Sequence, residues 1–152
     1  FTGSHWSQSD SIDKKSKPID DPEAIDQRPI YETTLEPGTV LVSTDEIAHW
    51  DAEVAEHLPK CEVSTKAEDK AVYGVYGGHD RDGDIMVLAV GSGVVLVCDE
   101  GGPIGVGDFL CTANKKGYAK RYDGNDMRVV LGKARQSFTG NKGSIACSYM
   151  CG

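Results

Sequence analysis

Residues 71–98 read AVYGVYGGHDRDGDIMVLAVGSGVVLVC, and this stretch decides the fold class. Val72, Tyr73, Val75 and Tyr76 make a short run that ends at Gly77-Gly78. Branched and aromatic side chains bounded by glycines suit a pleated, half-buried strand. A second run, 85–90, follows Asp82-Gly83, an ordinary hairpin turn. A third, 93–98, follows Gly91-Ser92-Gly93, which reads as another tight turn. The three runs predict three strands joined by glycine turns.

The pattern continues in both directions. Downstream, residues 109–112, 117–122, 128–135 and 144–150 are strand-like, with Gly101-Gly102 and Asp123-Gly124 as separators. Alternation is visible where Val129, Leu131 and Lys133 interleave with Val130, Gly132 and Ala134. Upstream, residues 61–64 and the apolar run 38–43 after Pro37-Gly38 read the same way. Short strands at intervals of roughly 8–12 residues point to a barrel or a sandwich.

Residues 44–58 break the pattern. Ile47, Trp50, Val54 and Leu58 fall on one helical face. Ser43 with Glu46 fits a capping box, Asp45 and Glu46 suit a helix start, and Pro59 would end it. This predicts a single helix. Residues 7–30 hold three prolines, four serines and many charges, which reads as an extended arm. Its spaced Ile12, Ile19, Ile25 and Ile30 offer anchors for a neighbouring subunit. The expected fold is mainly β: a compact barrel-like or sandwich domain of about eight short strands, with one helix and an extended N-terminal arm. Residues 1–31 form the N-terminal motif and arm in this reading, and 32–152 the globular body. Core candidates are Val40, Val42, Ile47, Trp50, Val54, Leu58, Val72, Val75, Val87, Val95, Val97, Leu110, Val130 and Ala146.

Composition narrows the function. The chain has 152 residues and a net charge of −8, unevenly placed. Residues 1–100 hold 21 acids and 8 bases, while 101–152 hold 3 acids and 8 bases. A general nucleic-acid binder needs a broad basic surface, so nucleic acid is not an expected partner. A local basic face, or acid-to-base contact between copies, stays open. No apolar run approaches the roughly 18 residues of a spanning helix, so membrane insertion is not expected. The start shows no signal pattern and no initiator Met, which reads as a processed or excised piece of a longer chain. Five unclustered cysteines suggest reduced thiols and synthesis in a cytoplasm.

Local motifs are mostly structural. Asp80, Asp82 and Asp84 alternate, but the Gly and Glu of a calcium loop are missing, so a hairpin is the better reading. No Cys-x-x-Cys supports zinc, and no glycine-rich loop opens a helix, so neither metal nor cofactor is expected. The opening Phe1-Thr2-Gly3-Ser4-His5-Trp6 is different. It sets two hydroxyls and an imidazole beside a flexible glycine. Such a group supports a backbone acyl shift, in which a hydroxyl attacks a carbonyl and the imidazole moves the proton. Thr2, Ser4 and His5 are therefore the candidate catalytic residues. A purification-tag remnant would look similar on composition alone.

Several motifs in order resemble a known family. They are Val72-Tyr73-Gly74-Val75, Gly102-Pro103-Ile104, Gly107-Asp108 with Leu110, Gly117-Tyr118-Ala119 and Val130-Leu131-Gly132-Lys133-Ala134. Together they resemble the C-terminal β-domain of phage and large-virus tail-fibre or spike proteins. The opening Phe1-Thr2-Gly3-Ser4-His5 is similar to the FTG-x-H start of such domains. The likeness covers residues 71–136 and 1–6; Ala113 stands where the family has Ser. The resemblance implies an intramolecular chaperone that trimerises with its parent fibre, attaches to a host surface glycan, and is released by self-cleavage just before Phe1. It implies a virion location. Two other classes fit the residues. A virion-associated enzyme, either an autoprotease or a cell-wall polysaccharide hydrolase, would in the latter case need two carboxylates about 5–9.5 Å apart. A glycan-binding module would use Trp6, Tyr73, Tyr76 and Tyr118 as a stacking surface.

Overall fold

The computed structural model of the chain describes residues 3–7, 12, 14–17, 21, 23, 30–51, 53, 56–80 and 83–151. Their regular structure is almost wholly β. The strands are β1 (Gly3–Ser7), β2 (Lys14–Lys17), β3 (Ile30–Thr33), β4 (Val40–Asp51), β5 (Glu56–Val63), β6 (Val72–His79), β7 (Ile85–Cys98), β8 (Phe109–Thr112), β9 (Ala119–Tyr122), β10 (Gly132–Ala134) and β11 (Lys142–Met150). One 3-10 turn, Met127–Val129, precedes β10. The expected β-barrel class is what the chain adopts.

β7 is the spine. Its 14 residues span roughly 45 Å, enough to serve two curled sheets. The C-terminal half closes a five-stranded barrel in the order β7-β9-β8-β10-β11, with β11 returning to β7. Nine register pairs, from Cys98↔Lys142 to Val90↔Met150, make that closing seam. β9 meets β7 in parallel at Val97↔Ala119. Val95, Val97, Leu110, Leu131, Ile145 and Tyr149 fill the interior.

The N-terminal half of β7 builds the second sheet. Val87 and Leu88 each pair with β6 and with β1, so these strands flank β7 on opposite edges. β6 continues to β4, and β4 to β5. The Ser7 hydroxyl donates to the Pro59 carbonyl, which ties β5 back to β1. Leu41, Cys61, Val63, Tyr76, Ile85 and Val87 form this second core. β2 and β3 pair as a separate two-stranded sheet, and β3 runs across residues 31 and 32.

The expected helix over 44–58 does not form. β4 and β5 make an antiparallel pair there, with Trp50↔His57 and Asp51↔Glu56 near the turn. The contacts that read as helix signals belong to strands. Thr44 Oγ1 accepts from the Glu46 amide and donates to the Lys60 carbonyl across the hairpin. Ile47 is 46% exposed rather than core, and Leu58 is half-buried. Pro59 lies on β5, an edge strand, where its missing N–H leaves no rung broken on the outer side. The register irregularities at Ser43/Ile47 and Ile47/His49 disturb the two-residue alternation, which is why a helical spacing showed through. Val54 and the Trp50 side chain lie outside what is described.

Three smaller expectations also change. Ala146 faces out, because Ile145, Cys147 and Tyr149 take the inward positions of β11. Residues 128–135 are not one strand: Val129, Val130 and Leu131 are all buried in succession around the 3-10 turn, and only Gly132–Ala134 pairs. Gly91-Ser92-Gly93 is no turn but the middle of β7. Gly91 has φ +102°, and a Cβ on Gly93 would lie 2.3 Å from the Tyr149 hydroxyl. From the arm, Ile12 is 6% exposed and packs into this chain's own second core. Ile19 and Ile25 lie outside the described residues.

Candidate functional site

The N-terminal motif is a sheet strand. Thr2 lies outside the described residues; Ser4 and His5 belong to β1, whose backbone pairs with β7. Ser4 is opposite Leu88 and His5 opposite Val87. Across the next strand gap Leu88 pairs with Val75, and Val87 with Tyr76. His5, Val87 and Tyr76 therefore share one column across three strands. Ser7 shares a column with Ile85 and His79 in the same way.

The sequence reading missed the polar group on the β6 side of these columns. The Tyr76 hydroxyl and His79 Nδ1 are 2.7 Å apart, and Thr33 Oγ1 donates to the same hydroxyl at 3.1 Å. Between them β6 carries a bulge, since Tyr76 pairs with Val87 but Gly78 with Met86. One extra residue puts i and i+3 on one face, which brings Tyr76 and His79 together. Gly77 is needed there, as a Cβ would lie 2.6 Å from the Leu88 side chain. The visible signal was Gly77-Gly78 inside a strand pattern, which marks a bulge as readily as a turn. Tyr76 is only 4% exposed, so it is a core residue and not part of a stacking surface. Tyr73 is half-buried, and burial first, then the neighbouring Cys61, pushes its hydroxyl pKa up. The Trp6 side chain is outside the described set.

Tyr118 is the aromatic that reaches a cleft. A cleft of about 320 Å³ is lined by Tyr118 with Leu35, Glu36, Val63, Leu96 and Lys116. A second, of about 240 Å³, is lined by Tyr118 with Glu36, Leu96, Lys142 and Ser144. Glu36, Leu96 and Tyr118 thus form a wall common to both. The Lys115 ammonium lies 5.2 Å from the Tyr118 ring centroid. A short hairpin bend holds the ring: Ala113 N–H donates to the Tyr118 carbonyl, and Tyr118 N–H to the Lys115 carbonyl. Glu36 sits just before the Pro37-Gly38 turn, where Gly38 has φ +92° and its carbonyl accepts from Leu96.

The Asp80–Asp84 hairpin is closed by its own backbone. Asp80 N–H donates to the Asp84 carbonyl at 3.0 Å, and Asp84 N–H to Asp80 Oδ1 at 2.9 Å. Asp82 lies outside the described residues. No group of three His, Cys, Asp or Glu side chains among the described residues could hold a metal ion. The five cysteines are free thiols, four of them buried. Burial pushes the Cys111 and Cys147 thiols up to about 11 and Cys151 up to about 12. These three thiols stay protonated near neutral pH and are not poised nucleophiles.

The basic C-terminal end is partly neutralised within the chain. Lys120 pairs with Glu100 at 3.8 Å, Arg121 with Asp123 at 3.1 Å and Arg128 with Asp126 at 2.9 Å. Lys116 and Lys142 make no such pair among the described residues. Comparison with protein families, curated proteins and solved structures finds no match for this chain. Among the described residues no helix is long and apolar enough to cross a membrane.

Proposed function

We propose that this chain is the C-terminal domain of a viral or phage fibre or spike protein, acting in fibre assembly as a homotrimer and in host attachment. The family resemblance of residues 71–136 and 1–6 supports the reading. The observation that carries it is the meeting of these two separated stretches: Gly3, Ser4 and His5 of the FTG-x-H segment lie on β1, which pairs along β7 at five register positions. β7 in turn seams the barrel that holds the motifs from Gly102 to Ala134, and pairs with β6, which carries Val72-Tyr73-Gly74-Val75. A cut just before Phe1 would leave β1 held by its backbone pairing, so the domain's fold does not depend on the bond being intact.

In this reading the acidic surface of one copy meets unpaired basic groups of the next. Complementary charge sets register more than affinity. Light scattering on the purified chain tests assembly. The expected mass is three times the 16.3 kDa chain at low salt, with weakening at high salt as charges are screened. A monomer at both salt levels overturns it. Processing has its own test: a chain extended upstream of Phe1 should cut itself, as seen by mass spectrometry, and His5→Ala should slow the cut. An extended chain that stays whole overturns the self-cleavage role.

A further inference from the structure

We infer that the paired clefts around Tyr118 bind an acidic oligosaccharide, with a carboxylated sugar held by Lys116 and Lys142. The inference names a ligand class for the attachment role proposed above and rests on that reading.

The argument starts from unspent polar groups. The Lys116 and Lys142 ammoniums, the Glu36 carboxylate and the Tyr118 hydroxyl make no hydrogen bond or ion pair among the described residues. Elsewhere on this end Lys120, Arg121 and Arg128 pair with acids, Lys133 lies over the Phe109 ring and Arg135 donates to the Ser148 hydroxyl. Here two cations stand in adjoining clefts, with Lys115 a third at the Tyr118 ring. Glu36 is the single carboxylate among the described residues lining either cleft. The local balance therefore favours an anion.

The shape selects among anions. Leu35, Val63 and Leu96 give an apolar lining beside the tyrosine ring, which suits the C–H face of a pyranose. Glu36, on the common wall, would accept from sugar hydroxyls and would repel a doubly charged phosphate placed there. The lysines flank that wall in separate clefts, matching charges spaced along a chain and not a single compact anion. The described lining offers one carboxylate where a glycosidase uses two, so the inference is of binding and not of cleavage.

Calorimetry on the full chain tests this, with oligogalacturonate as the probe and its carboxyl-reduced neutral counterpart as the control. The acidic sugar should bind, the neutral one more weakly, and the difference should shrink as salt rises. Each of Lys116→Ala and Lys142→Ala should weaken acidic binding about two- to fivefold, the range for a partly exposed ion pair. Both are exposed side chains, so the fold should hold, as circular dichroism would show. Tyr118→Phe should keep most of the affinity and Tyr118→Ala should lose it. Equal binding of the two sugars, indifference to both lysine variants, or no binding overturns the inference. A trimer that binds neither sugar overturns this inference alone. A monomer that binds the acidic sugar overturns assembly alone.

Discussion

Replacing Gly93 by alanine probes the closing seam of the barrel at one contact. Gly93 pairs with Cys147 across β7 and β11. A Cβ there would fall 2.3 Å from the Tyr149 hydroxyl oxygen and 3.0 Å from its Cζ. Gly93 is not among the left-handed glycines, so alanine meets no backbone strain and the cost is steric. Tyr149 is 4% exposed and donates to the Val94 carbonyl at 2.6 Å, so its ring cannot move aside without breaking that bond. Overpacking of this kind costs about 1–3 kcal/mol, and loss of the hydrogen bond about 1 kcal/mol more. Gly93→Ala should therefore destabilise the chain by about 2–4 kcal/mol, and Tyr149→Phe by about 1 kcal/mol. The double variant should cost less than the sum, by about 1 kcal/mol, because phenylalanine leaves no oxygen under the new methyl. Urea unfolding followed by far-UV circular dichroism reads the three values. Protein concentration must be held fixed, since an oligomer's stability depends on it. A Gly93→Ala cost below about 0.5 kcal/mol, or strict additivity in the double variant, would refute this packing.

Leu131→Ala empties a fully buried site in the barrel core and should cost about 2–5 kcal/mol in the same unfolding assay. Tyr76→Phe should cost about 1 kcal/mol, and His79→Phe added to it should cost little more if the two share one hydrogen bond, which a double-mutant cycle measures. Iodoacetamide at pH 8 should leave Cys111 and Cys147 unmodified in the folded chain, since burial keeps both protonated with values pushed up to about 11; all five thiols should react after unfolding. The Arg128 side chain and backbone amide beside Asp126 lower its carboxyl pKa. A group depressed on folding contributes above its unfolded value, so this turn contact should persist to acid and be lost only as pH falls through the lowered value. Carbon-detected NMR titration should find Asp126 among the last carboxylates to protonate.

Much of the barrel was legible because its strands announce themselves. Residues 109–112 form a strand with the expected bounds, and Val75, Val87, Val95, Val97 and Leu110 are all fully buried. These are branched or apolar residues between glycine turns, and local preference agrees with burial. The hairpin of β4 and β5 was hidden for the opposite reason. Its polar, bulged sequence satisfies a helical spacing locally, and only the pairing of β4 with β5 and with β6 makes the extended form win. Ala146 shows how small the margin is: in a strand, a one-residue error in phase sends every side chain to the other face.

The candidate site divides the same way. The FTG-x-H segment and Tyr118 could be picked out from residue type alone. That His5 shares a column with Val87 and Tyr76, or that Tyr76 meets His79 across a bulge, depends on sheet register. Glu36 and Lys142, 106 positions apart in the numbering, line one cleft with Tyr118 because β7 carries Leu96 between them.

By itself, the sequence determined the β class and most of the apolar residues that must be buried, because side-chain shape and hydrophobicity act locally. Which strands are neighbours was decided only by the tertiary structure. Strand pairing uses the same backbone groups at every residue, so partner and register are chosen by the packing of both faces at once. That choice made β7 the shared spine, turned an expected helix into a hairpin, and set two lysines in the clefts around one tyrosine.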